Sequence, residues 1–124
     1  MFLLDSTAII ELLDASEIGI KIQEEFQDKD IATTAFSVHE VLRSVNERNR
    51  TLARNFFEQL PIYAFTRKSA ERSAPLENYL KATGTMINKI DILIASICLE
   101  LSATMVTLDK DFMRIPKLQV KLLE

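Results

Sequence analysis

The stretch Gly84 to Pro116, GTMINKIDILIASICLELSATMVTLDKDFMRIP, decides the fold. Ile94, Ala95, Cys98 and Leu101 share one face of a helix that Asp91 opens and that ends near Leu101. Gly84 suits the position just past the end of a preceding helix. Thr104 to Thr107 is a brief apolar, partly β-branched run that predicts a strand, and Asp109 follows it. Working outward, Phe2 to Leu4, Ile31 to Ala35, Ile62 to Phe65 and Leu118 to Leu122 read as four more strands. Between them Ile18, Ile22 and Phe26 recur every fourth residue, as do Leu52, Phe56 and Leu60. Val38, Val41, Leu42 and Val45 form the stripe of a half-buried helix. Arg67 to Thr83 is helical in composition, with Pro75 expected to break or kink it. The order β-α-β-α-β-α-β-α-β predicts a mostly parallel five-stranded sheet with helices on both faces, a three-layer α/β/α sandwich.

Composition agrees. The chain has 124 residues, 48% apolar and 27% charged, with 2 Gly and 3 Pro, which predicts one globular domain over residues 1–124. Folding at this length buries roughly two-thirds of the unfolded surface, enough to hold the fold without staples. Cys98 is the sole cysteine, which excludes a disulfide scaffold or zinc ribbon and agrees with a reducing compartment. Asp5 and Glu11 interrupt the N-terminal apolar residues, and no run approaches the ~18 of a membrane span. A soluble, cytoplasmic protein with no membrane partner is expected. A formal charge of −3 argues against the overall basic field of a typical nucleic-acid binder.

In open α/β sheets ligands bind outside the carboxyl ends of the strands. Asp5 follows the first strand, Glu40 lies in the first turns of the helix after the second, Asp91 opens its helix, and Asp109 follows the fourth strand. All four map to one rim. Carboxylates sharing a pocket raise one another's pKa or demand a cation. Oxygen donors without a Cys or His cluster favour Mg²⁺ or Mn²⁺ over zinc. One or two such ions suit phosphodiester hydrolysis. Setting the four acids aside leaves 14 acidic against 15 basic residues, so a phosphate backbone could approach. Arg43, Arg48, Arg50 and Arg54 cluster just after Glu40, with Glu47 the only acid among them, and are candidate phosphate contacts.

FLLDSTAIIELL at the N-terminus, TTAFSVHEVLRS around Glu40, Gly84 to Pro116 and the LQVKLL ending together resemble the PIN-domain ribonucleases, specifically the short VapC-type toxins of toxin–antitoxin pairs. Residues 48–83 match only in length and helical character. The resemblance implies a five-stranded parallel sheet, a Mg²⁺ or Mn²⁺ site, endonucleolytic cleavage of RNA, a homodimer, and a small antitoxin partner. Carried over residue by residue, the family's acids fall on Asp5, Glu40, Asp91 and Asp109. Asp111 is a fifth candidate, at a place where members vary. Ser6 and Thr107 match hydroxyl positions that orient a ligand or water. Thr7 departs from the Asn or Ser common two residues after the first acid.

Each residue also has a plainer reading. Asp5 could cap the next helix. Ser37 to Glu40 fits the S-x-x-E capping box. Asp91 could complement a helix dipole. Asp109 and Asp111 could stabilise a turn. His39 stands about 100° round the helix from Glu40 and reads as a neutral surface or half-buried residue. Cys98 reads as core. Phe36, Phe57 and Tyr79 are expected at the surface. A receiver-type phospho-acceptor needs an Asp after the third strand, where YAFTRK has none, and a D-x-D-x-T phosphatase needs a second Asp where Thr7 stands. A non-catalytic PIN-like binding module is the remaining alternative.

Overall fold

A computed structural model describes every residue from Met1 to Glu124. The strands β1 (Phe2–Leu4), β2 (Ile31–Thr34), β3 (Ile62–Tyr63), β4 (Thr104–Thr107) and β5 (Gln119–Leu122) form one sheet in the order β3-β2-β1-β4-β5, with every pairing parallel. The chain builds outward from β1 to β3, then returns to lay β4 on the other side of β1. That reversal creates a switch point between the carboxyl ends of β1 and β4.

Successive strand residues face opposite sides, and the sheet divides its core accordingly. Leu3 pairs with Met105, and both join Ile92, Ala95, Cys98 and Phe112 in one fully buried cluster. Leu4 pairs with Val106, and both join Ala8, Ile9, Ile22 and Val41 in the other. Helices α5 (Arg67–Ala82) and α6 (Lys89–Glu100) cover the first face; α1 (Ser6–Asp14), α2 (Glu17–Phe26), α3 (Ala35–Ser44) and α4 (Glu47–Phe57) cover the second. This is the expected three-layer sandwich. No helix is long and apolar enough to cross a membrane.

Several local expectations are corrected. The first three crossovers each hold two helices. Ala15, at φ 52°, turns the chain after α1, and Gly19 lets α2 pack so closely that a Cβ there would stand 2.0 Å from the Glu11 carbonyl oxygen. The last crossover holds only a 3₁₀ turn, η1 (Lys110–Arg114), because Asp109 and Pro116 leave room for little more. Strand β2 ends at Thr34, whose hydroxyl accepts from the Ser37 N–H at 3.2 Å and starts α3 at Ala35. The Ser37–Glu40 capping box therefore does not form; Ser37 is already the third helical residue. β3 stops at Tyr63, paired with Thr34, since β2 offers nothing further to pair with. Leu118 bonds back to the Ile115 carbonyl, so β5 starts one residue late. Helix α5 runs unbroken through Pro75, which sits on its exposed side where the Glu71 carbonyl can turn to water. It ends as expected: Gly84, at φ 67°, follows the helix, and the Thr85 N–H reaches the Leu80 carbonyl at 2.9 Å. Phe57 is buried, edge-on to Phe56, while Phe36 is half-buried and Tyr79 exposed.

Candidate active site

Asp5 is 3% exposed and sits at the end of β1, at the switch point. Its Oδ1 accepts from the Ala8 N–H at 3.1 Å, so it does cap α1, and from the Thr7 hydroxyl at 2.7 Å. Its Oδ2 accepts from the Thr107 hydroxyl at the end of β4. Each threonine also reaches the turn after β4. Thr107 Oγ1 accepts from the Asp109 N–H at 2.9 Å, and Thr7 Oγ1 from the Leu108 N–H at 3.0 Å. Two hydroxyls thereby lock Asp5 to the segment carrying Asp109. Ser6, the candidate beside Asp5, is not the hydroxyl that reaches it; Thr7 is.

Asp109 caps η1, its Oδ1 accepting from the Asp111 N–H at 2.9 Å. Asp111 lies 3.8 Å from the Arg114 guanidinium, which also donates to the Met86 carbonyl at 3.2 Å. Arg114 thus bridges η1 and the loop entering α6. Asn88 caps α6, which places Asp91 in its first turn. Glu40 stands mid-helix in α3, half-buried.

Electrostatics tie these groups together. Burial pushes the Asp91 carboxyl up from 3.8 to about 7, reinforced by the charges of Asp109, Glu40, Asp5 and Asp111. Asp5 is also raised, by burial first; its hydrogen bonds pull the other way, and Asp109 adds to the rise. Of these acids only Asp111 has a cationic partner, Arg114; Asp5, Glu40, Asp91 and Asp109 form no ion pair. No three of the rim's acidic side chains stand as a ready-made ion cage. An all-oxygen set with one or two direct carboxylates and several waters is nonetheless what Mg²⁺ takes, and the donor chemistry fits it.

The basic cluster divides. Arg43 lies one turn beyond Glu40 on α3; Arg48, Arg50 and Arg54 ride on α4, where Arg50 pairs with Glu47 at 3.2 Å. His39 is exposed, yet it lines a cleft with Glu40 and Arg43. The recurrence Phe36, His39, Glu40, Arg43, at helical spacing, is the sequence signal that would have found it. Cys98 is core: fully buried, it donates to the Ala103 carbonyl at 3.3 Å, and burial pushes its thiol up to about 12.

Fold and site define a parallel α/β protein with carboxylates gathered where its strand order reverses. The chain belongs to the PIN domain family, whose model matches residues 2–118. Curated protein sequences give no significant match. Solved structures do. A chain of VapBC2 from Rickettsia felis, bound to a promoter DNA fragment, superposes with TM-score 0.83 at 23% identity over 99% of this chain and 98% of that one. VapBC-1 from nontypeable Haemophilus influenzae gives 0.80 at 22% over 98% and 96%. Mycobacterium tuberculosis VapC20, a sarcin-ricin loop cleaving toxin, gives 0.70 at 13% over 92% and 94%. At these identities the likeness is one of fold.

Proposed function

We propose that the whole chain acts as a single divalent-cation-dependent endoribonuclease domain, the toxin of a toxin–antitoxin pair. The observation that supports this reading is the Asp91 carboxyl, which burial first and then the charges of Asp109, Glu40 and Asp5, from three other segments, push up to about 7. The fold likeness to VapBC chains supports a small antitoxin protein as partner, and the likeness to an RNA-cleaving toxin supports RNA as substrate. A homodimer in the cytoplasm accords with the same reading.

Asp5, Glu40, Asp91 and Asp109 would hold one or two Mg²⁺ or Mn²⁺ ions, with Asp111 at the outer edge. When bound, the cation supplies positive charge against an RNA phosphate and activates water for attack. Thr7 and Thr107 keep both Asp5 oxygens aimed, so little reorganisation accompanies binding. Asp91, its carboxyl pushed up to about 7, can take up or release a proton at physiological pH. The test is cleavage of RNA by purified protein with Mn²⁺, beside Asp5→Ala and Asp91→Asn. The reading expects cleavage by the unmodified protein only; an Asp5→Ala protein cutting at the unmodified rate overturns it.

A further inference from the structure

Helix α3 carries two stripes. Val41, with Val38, Leu42 and Val45, packs into the core. Phe36, His39, Glu40 and Arg43 occupy the other, and with Asn88 and Ile90 at the start of α6 they line a cleft of about 310 Å³. Glu40 belongs to both this cleft and the charge cluster acting on Asp91, so cleft and acidic rim share a wall.

The cleft differs from the rim in chemistry. Arg43 is exposed and forms no ion pair, although Glu40 lies three residues before it. Asn88 spends its carbonyl oxygen on the Ile90 N–H at 2.9 Å, which leaves its amide N–H groups free to donate. The Phe36 ring is steadied edge-on by Phe65, with centroids 5.9 Å apart. Ile90 is 38% exposed, an apolar surface with no partner beside these polar groups. Beside the Glu40 carboxylate that it shares with the rim, the cleft holds one cation, one imidazole, free amide donors and an aromatic ring, a set that in a space of this size suits a single splayed-out base and its phosphate, not a duplex.

We propose that this cleft is the subsite for one unpaired nucleotide flanking the RNA bond to be cut, an inference that rests on the endoribonuclease reading. Phe36 and Ile90 hold the base, Asn88 donates to its edge, and Arg43 and His39 hold the flanking phosphate. The acids of the rim repel a phosphate backbone; Arg43, on the cleft wall beside Glu40, is the one positive charge there that meets a phosphate.

The test measures fluorescence anisotropy of short, labelled, single-stranded RNA of mixed sequence on Asp91→Asn protein in Mg²⁺, with cleavage by the unmodified protein assayed alongside. Adding Phe36→Ala or Arg43→Gln weakens binding roughly tenfold, the effect of losing one stacked base or one phosphate contact. Adding Lys21→Gln, exposed on α2 and no part of the cleft lining, changes nothing, and thermal midpoints in EDTA show which variants remain folded. Arg43→Gln, on an exposed side chain, keeps the test valid if Phe36→Ala unfolds. Folded variants that bind as tightly as their parent, while the unmodified protein cleaves RNA, overturn the subsite and leave the nuclease standing. Binding that depends on Phe36 and Arg43 without cleavage overturns the nuclease and with it the role beside a scissile bond, and leaves the cleft a nucleotide-binding site only. Neither binding nor cleavage overturns both.

Discussion

Neutralising Asp91 should make the cation-free protein more stable, and only at high pH. Its carboxyl stands at about 7 instead of 3.8, through burial and then the charges of Asp109, Glu40, Asp5 and Asp111. A folded-state pKa above the unfolded one means that the native protein binds the extra proton. Stability therefore falls as pH rises from about 4 to about 7, and the penalty is complete above that. At about 1.4 kcal/mol per pKa unit the full difference corresponds to about 4 kcal/mol. Asp91 is partly solvated, and screening reduces the expected effect to about 1–2 kcal/mol. No hydrogen bond contributes to its pKa, so Asn gives up none. For a chain of this size the gain corresponds to about 4–8 °C in Tm. Differential scanning fluorimetry in EDTA should show Asp91→Asn melting above the unmodified protein at pH 8 and the two converging near pH 4. Mg²⁺ should raise the unmodified protein's Tm at pH 8 and the variant's much less. An Asp91→Asn protein that melts at or below its parent at pH 8, or by the same margin at both pH values, refutes the reasoning.

Thr107→Val leaves a buried Asp5 oxygen and the Asp109 N–H unpaired, so urea unfolding should show a loss of about 1–3 kcal/mol, with RNA cleavage falling as Asp5 loses its orientation. Gly19→Ala pushes a methyl against the Glu11 backbone, and α1 and α2 must separate; a loss of about 1–3 kcal/mol should appear in the same assay, and an unchanged midpoint would contradict the close packing. Ala15→Gly relieves a left-handed residue at the end of α1 and should raise stability by about 0.5–1 kcal/mol by thermal melts.

Sequence by itself determined the layers and the acids. Apolar spacing is local, so the stripe Val38, Val41, Leu42, Val45 and the run Thr104 to Thr107 announce their elements without a neighbour. An acid just past a strand marks the rim on the same terms, which is why Asp5 and Asp109 stood out. Helix starts were less legible: Ser37 looked like a cap because nothing local says that Thr34, ending its strand, caps first. Tertiary structure alone decided which strands adjoin, and hence that the order reverses between β1 and β4. It also decided that Thr107, 102 residues from Asp5 in the chain, would hold that carboxylate. The height of Asp91's pKa belongs here too, because desolvation and the fields of four remote carboxylates exist only once the chain has packed. Periodicity is written along a chain, whereas pairing, burial and charge coupling depend on distances that folding creates.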